Sequence, residues 1–364
     1  MIKLFLIKKL SKHQKNINME KSAEILSPFI VISGVFIMLS YILDMSLGDQ
    51  INHGIVSSSY ARVISSLGKL SKELIFPMIS VTTAYTLSGM EAVIPAFFGG
   101  VMSVSGYSFL RPEGSVTSVA GVFGSVVIGL ISGYFIIAAR KMFKKREKSH
   151  IPDFLISVLS VSFVALFTLS LNTLSGVSAD SCSMLLLFLE SKGEILPFLL
   201  LPYFVNLNPG GASYITSFAF ASAMMRSDSG AAFASVFVST VVPVLSMGLY
   251  CILFLKENHN PVSIAGLSGI PFGFSGVHTT PLLMYMLHPV RSVLCFTTGS
   301  LFSSLLSYLF SCRVRAYEGG FFAYELMEKP LTLVAVTLSG ATLSTLMLCL
   351  TDRRKRTDKE EQSR

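Results

Sequence analysis

Formal charge is scarce in this sequence: 14% of its 364 residues are Asp, Glu, Lys or Arg, against 51% hydrophobic, and mean hydropathy is +0.64. That balance excludes a soluble globular domain of this length. Cysteine is also sparse, and Cys182, Cys251, Cys295, Cys312 and Cys349 are scattered, most of them inside apolar runs, so neither a disulfide framework nor a metal site is implied. No cofactor motif is present. Carboxylates are nearly absent from the long apolar runs, which excludes an acidic proton relay and most ion pathways. No small-residue cleavage site follows the lysine-rich start, so a removable signal peptide is not expected.

What the chain does have is long apolar runs, each near the roughly 20 residues that span a bilayer. Three basic clusters interrupt them: Lys3 to Lys21, Arg140 to Lys148, and Arg353 to Arg356. By the positive-inside rule all three are cytoplasmic, so the number of crossings between each pair is even. Four spans fit before the second cluster, near 25–47, 73–87, 92–109 and 117–139. Six fit after it, near 154–174, 184–207, 211–225, 230–255, 292–312 and 331–350. The intervening stretch 264–287 is broken by Gly266, Gly269, Pro271, Gly273, Gly276 and Pro281, which predicts a re-entrant hairpin. The expectation is an all-α polytopic membrane protein with about ten transmembrane helices and at least one such hairpin. The net charge of +8 is accounted for by topology and anionic lipid contact, without nucleic acid.

Three polar islands sit within the apolar runs: Asn208-Pro209-Gly210-Gly211, Gly276-Val277-His278-Thr279-Thr280-Pro281, and Arg315-Ala316-Tyr317-Glu318-Gly319-Gly320. Glycine-broken polar backbone at membrane depth is tolerated only where it is buried in protein or lines a watery cavity, so these islands point to a substrate site. Their amides, hydroxyls, imidazole and single carboxylate suit a neutral, hydroxyl-rich solute such as a sugar. A structural reading stands beside each functional one. His278 fits a backbone-satisfied imidazole as well as a ligand; Asn208 fits a cap on the helix beginning near Gly211. Glu318 fits an ion pair with Arg313 or Arg315, and His288 and Arg291 fit a membrane-interface role at a helix start.

The order and spacing of Phe76-Pro77-Met78, Pro95-Ala96-Phe97-Phe98-Gly99-Gly100, Gly121-Val122-Phe123-Gly124 through Gly133-Tyr134, Asn208-Pro209-Gly210-Gly211, His288-Pro289-Val290-Arg291 and Gly299-Ser300 resemble the membrane-spanning IIC component of the fructose-family phosphotransferase system. The resemblance runs from about Ser22 to Leu350. It implies a IIC-type membrane domain over 22–351, between a basic cytoplasmic lead-in at 1–21 and a charged cytoplasmic tail at 352–364. It also implies a homodimer in a bacterial inner membrane with both termini cytoplasmic. The expected activity is sugar permeation coupled to phosphorylation, the phosphoryl group coming from separate IIB and IIA proteins because no recognisable IIA or IIB region is present. No residue of this chain is expected to form a covalent phosphoenzyme, and no metal or cofactor is implied. Substrate contacts are assigned to Asn208, Gly210, Gly211, His278, Thr279, Thr280, His288, Arg291 and Glu318.

Three departures from the family pattern fall on these islands. Asn208 stands where members commonly carry aspartate, and Tyr214 and Ile215 stand where asparagine and lysine usually follow. Thr279 occupies the position of a sugar-contacting glutamate, and Glu318 that of a histidine. A threonine accepts a hydrogen bond but is no general base near neutral pH. Either His278 and Glu318 take over that role, or the chain is a degenerate paralogue serving as a facilitator or sensor. The retained glycine scaffolding favours the first.

Overall fold

A computed structural model describes residues 19–46, 58–143, 151–193, 195–226, 230–254, 261–316 and 320–362. Most of the basic lead-in and second cluster, and Glu318 with its neighbours Tyr317 and Gly319, lie outside the described residues. The chain is almost entirely helical: α1 (Met19–Ser46), α2 (Ser59–Ser88), α3 (Val93–Ser105), α4 (Gly121–Phe143), α5 (Ile151–Glu190), α6 (Ile195–Leu207), α7 (Ala212–Arg226), α8 (Ala231–Phe254), α9 (Pro261–Leu267), α10 (Gly269–Ser275), α11 (Leu282–Leu287), α12 (Pro289–Leu309) and α13 (Pro330–Gln362). Two two-residue strands, β1 (Arg313–Val314) and β2 (Met327–Glu328), pair antiparallel with Arg313 opposite Glu328.

Among the described residues, six helices are long and apolar enough to cross a membrane: α1, α4, α5, α8, α12 and the first part of α13. Shorter apolar helices occur at Met90–Ser105 and Ile195–Leu207. The protein is therefore an all-α, multi-pass membrane protein. The helices differ from the expected spans in several places, and the expected span 73–87 is the second half of α2, which begins at Ser59. The expected gap between 174 and 184 is absent, because α5 runs unbroken for 40 residues, about 60 Å at 1.5 Å per residue. No proline interrupts that stretch, and Gly176 is packed against Ser118. The break falls instead within the expected span 184–207, at Ser191 to Gly193, where the Gly193 amide donates to the carbonyls of Leu189 and Glu190 and closes the helix.

Small residues set the helix crossings, as is usual where lipid supplies no hydrophobic drive between helices. A Cβ on Gly68 of α2 would lie 2.6 Å from Ile37 of α1, one on Gly100 of α3 2.5 Å from Pro77 of α2, and one on Gly129 of α4 2.5 Å from the Ser80 carbonyl. In this first group α1, α3 and α4 pack around α2, and α5 packs on α3 and α4. The second group is built on α8, whose span is 83% buried, against α6, α12 and α13. Its interior is rich in serine and threonine. Hydroxyls bond helix carbonyls, as Ser239 does to Ser235, or cross between helices, as Ser235 and Ser304 do at 2.6 Å.

Between α8 and α12 the chain does not cross as a straight helix. It forms α9, α10 and α11, which pack on α8, α1 and α4. Gly266, Gly269 and Gly273 admit this close approach, with Cβ positions 2.2 to 2.5 Å from Cys251, the Val244 carbonyl and Leu245.

Candidate functional site

The turn between α10 and α11 carries the central polar island. Gly276 closes α10 at φ 76°, and the Val277 amide donates to the Phe272 carbonyl at 2.9 Å. Carbonyls of Thr279 and Thr280 then accept from Leu282 and Leu283 at 3.2 and 3.4 Å and begin α11. Backbone hydrogen bonds thus hold both ends of the turn, while several of its side chains are unpaired. His278 Nδ1, Thr279 Oγ1 and Thr280 Oγ1 are all buried without a hydrogen-bond partner among the described residues. Unpaired buried polar groups are costly, and three in succession mark a place where function is favoured over stability.

A cavity of about 370 Å³ opens beside this turn. Tyr41 of α1 and Lys69 and Lys72 of α2 line one wall; Tyr214, Ile215, Phe218, Phe233, Phe237 and Thr240 of α7 and α8 line another. Gly276, Val277 and His278 form the third, and Ala316 and Gly320 complete it. A smaller cavity of about 30 Å³, enough for about one water, lies deeper between Asn206, Pro209, Pro281 and Tyr285. His278, Tyr214 and Thr240 line both cavities. At the deep end the Tyr285 hydroxyl donates to Asn206 Oδ1 at 2.9 Å, and Asn206 Nδ2 donates to Ser300 Oγ at 3.1 Å and to the Pro202 carbonyl at 2.8 Å. This buried network fixes one carboxamide and one phenol at the cavity floor.

The nine candidate residues separate in space. His278 lines the cavity, and Thr279 and Thr280 are buried directly behind it. Asn208 holds a chain crossing: its Nδ2 donates to the Ala120 carbonyl at 2.9 Å, and its Oδ1 accepts from the Phe123 amide at 3.4 Å, at the start of α4. Asn208 therefore caps α4 across the fold and not the helix that follows it. Gly211 bridges Ala120 at the same crossing, and Gly210, at φ 69°, lets the chain pass within 2.2 Å of Phe76 as measured from a built Cβ.

Arg291 sits at a different place. Its guanidinium donates to Thr351 Oγ1 at 2.8 Å, to Asp352 Oδ1 at 2.6 Å and to the Leu348 carbonyl at 2.5 Å, and lies 5.8 Å from the Tyr250 ring. Tyr250 in turn donates to the other Asp352 oxygen. Arg291 ties α8, α12 and α13 together, and His288, at the α11–α12 junction, stands beside that clasp and away from both cavities. Arg313 and Arg315 pair with Glu328 at 3.9 and 3.5 Å. Glu318 lies outside the described residues, although Ala316 and Gly320 on either side of 317–319 line the cavity.

Sequence reasoning missed Asn206, Tyr285, Thr240, Tyr41, Lys69 and Lys72 as lining groups. Asn206 and Tyr285 sit in apolar helical runs and are chosen only by the fold. Lys69 and Lys72 lie in the polar first half of α2, which also carries Arg62 and Glu73. Tyr214 and Ile215, two positions where this chain departs from the family motif, both face the cavity.

Comparison with known proteins places this geometry. Residues 25–225 match the family described as "Phosphotransferase system, EIIC". Over 342 residues, 85% of this chain, it is 23% identical to the PTS system fructose-specific EIIABC component of Mycoplasma pneumoniae, covering 47% of that protein. Over 274 residues, 71% of this chain, it is 25% identical to the Fructose-like PTS system EIIBC component of Escherichia coli, covering 53% of it. The chain thus spans about half the length of these curated relatives.

Proposed function

The chain belongs to the EIIC family of the phosphotransferase system, and on that premise we propose that it is the permease subunit for a fructose-like sugar, passing it inward for phosphorylation by a IIB protein. The observation that carries this reading is His278: its Nδ1 is buried and unpartnered, and its ring lines both the larger cavity and the deep one. A hydroxyl-rich solute entering the cavity satisfies His278 and meets Tyr41, Tyr214 and Thr240, while Phe218, Phe233 and Phe237 give apolar faces for its C–H surfaces. A volume of about 370 Å³ suits a monosaccharide, being within the roughly 300–1,000 Å³ of small-molecule sites.

In this reading the polar hydroxyls of Thr279 and Thr280 and the Asn206–Tyr285 pair orient the sugar, and Glu318 adds a carboxylate. Asn208, Gly210 and Gly211 act on the substrate indirectly, by fixing the crossing that positions α4 and α7. His288 and Arg291 hold the helix cage. Phosphoryl transfer asks mainly for alignment and electrostatic stabilisation, which a cavity of fixed polar groups supplies. The segment 261–288 serves as a re-entrant element, the chain makes about ten crossings with its termini in the cytoplasm of a bacterium, and two copies assemble as a dimer.

The test is uptake of radiolabelled fructose, other hexoses and polyols into vesicles, with and without phosphorylated IIB. Accumulation of a sugar phosphate only with the donor supports group translocation. Equilibration without the donor shows a facilitator, and binding with neither shows a sensor; both refute the proposal.

A further inference from the structure

The larger cavity is longer and more apolar than one sugar ring needs. Tyr214 of α7, Thr240 of α8 and His278 line both cavities and so mark the inner end of the larger one. From that end the two helices extend its wall in step. Phe218 stands one turn from Tyr214 on α7; on α8 Phe237 stands one turn from Thr240 and Phe233 two turns, about 10 Å at 1.5 Å per residue. The Phe218 and Phe233 rings meet edge to face at 5.1 Å, so both helices carry the wall in the same direction, away from His278. Polarity is graded along that length. The inner end offers the unpartnered His278 Nδ1, the Tyr214 phenol and Thr240, whose hydroxyl donates to the Phe237 carbonyl at 2.8 Å and so faces a ligand as an acceptor. Beyond it, the described lining from α7 and α8 is Phe218, Ala219, Phe233 and Phe237, without a hydrogen-bonding side chain. Lys69 and Lys72 line another wall, on α2, and each has an interaction of its own within the protein. The volume of about 370 Å³ is the share of about a dozen liquid waters at roughly 30 Å³ each. A hexose has about as many non-hydrogen atoms, but covalent bonds hold them closer together, and it leaves part of the space open. Hydroxyls set along the outer stretch lose water without gaining partners, whereas an apolar group gains by leaving water there.

We propose that the ligand of this cavity is a glycoside with an apolar aglycone, an aryl or alkyl group. Its sugar ring lies at the inner end against His278, Tyr214 and Thr240, and its aglycone extends outward between Phe218 and Phe237 as far as Phe233. An aryl group there finds ring faces and edges to pack on. This rests on the sugar-permease reading above and adds to it the class of sugar carried.

The experiment is equilibrium binding to the full chain in lipid nanodiscs. The probes are fructose, glucose and mannose, each beside its benzyl glycoside, with benzyl alcohol as the control for the apolar group alone. For the sugar that binds best, the benzyl glycoside is expected to bind at least tenfold tighter than the parent sugar, and benzyl alcohol at least tenfold weaker than the glycoside. Ala219→Trp fills the outer stretch, so it should abolish the gain while leaving parent-sugar affinity within about twofold. A glycoside that binds no tighter than its parent overturns the proposal, as does benzyl alcohol matching the glycoside or a gain that survives Ala219→Trp. If Ala219→Trp fails to fold, Phe233→Leu decides: the ratio of glycoside to parent affinity must fall at least threefold, and an unchanged ratio overturns the proposal. The two readings fail separately. Parent sugar bound without any gain from the aglycone sinks this inference alone, and no binding of sugar or glycoside in any form sinks the permease reading with it.

Discussion

Gly299 of α12 and Gly340 of α13 face each other at a close helix crossing: a Cβ on Gly299 would stand 2.3 Å from the Gly340 carbonyl oxygen, and one on Gly340 2.4 Å from that of Gly299. The relationship is reciprocal in the side chains too, with Ser344 set against Gly299 and Ser303 against Gly340. Ser303 donates to the Val336 carbonyl and Ser344 to the Cys295 carbonyl, so each serine bonds the opposite helix. Gly299→Ala or Gly340→Ala forces the helices apart, and backbone carbonyls cannot give way as a flexible side chain does. Each is expected to destabilise by about 1–3 kcal/mol, as overpacking does. A lowered melting temperature in detergent checks this; an unchanged one shows that the crossing is slack.

Thr279 predicts the opposite sign for stability. Its hydroxyl is buried and unpaired, so in the absence of ligand it carries desolvation without return. Thr279→Val keeps the shape and removes the cost. Melting temperature should hold or rise, by about 1 kcal/mol of stability, while sugar affinity falls about fivefold or more. Stability and binding lost together would mean that Thr279 is an ordinary packing residue.

Asn208→Asp changes the crossing of α4 with the 208–211 turn. Asparagine both donates to Ala120 and accepts from Phe123, and a carboxylate faces the Ala120 carbonyl with no proton to offer. Aspartate here should destabilise by about 1–3 kcal/mol. If thermal unfolding of this variant matches the unaltered protein while sugar uptake improves, the residue acts on substrate and not on the crossing.

Arg291→Lys tests the helix clasp. Three nitrogens of one planar group reach three partners, and a single ammonium cannot. The arginine side chain is 8% exposed and Asp352 36%, so the loss is expected near the lower end for a broken buried pair, about 3 kcal/mol. Ligand affinity of the protein that remains folded should be unchanged in a binding isotherm corrected for active fraction. A specific loss of affinity at normal stability would relocate Arg291 to the substrate.

The break in the helical pattern at the 276–281 turn was legible in the chain. The Gly276 to Pro281 island was readable because glycine and proline puncture an apolar run there, which at membrane depth is tolerated only where the backbone is buried in protein or lines a watery cavity. The break at Gly193 and the continuity of α5 were not, because whether a charged patch ends a helix depends on what packs beside it. Asn208 and Arg291 looked like substrate ligands in sequence. In the fold the Asn208 side chain bonds Ala120 and Phe123, and that of Arg291 bonds Leu348, Thr351 and Asp352.

Residue content alone determined that this chain must live in a bilayer as helices, since burying so many apolar groups with so few charges leaves no other solvent that satisfies the backbone. It also determined where the helical pattern must fail. Only the tertiary structure decided which polar groups meet. It paired Asn206 with Tyr285, brought Tyr41 and Tyr214 to the cavity that His278 lines, and used hydrogen bonds of Asn208 and Arg291 to join distant parts of the chain. Hydrogen bonds act over about 3 Å, and sequence separation says nothing about which donors fold to within that distance.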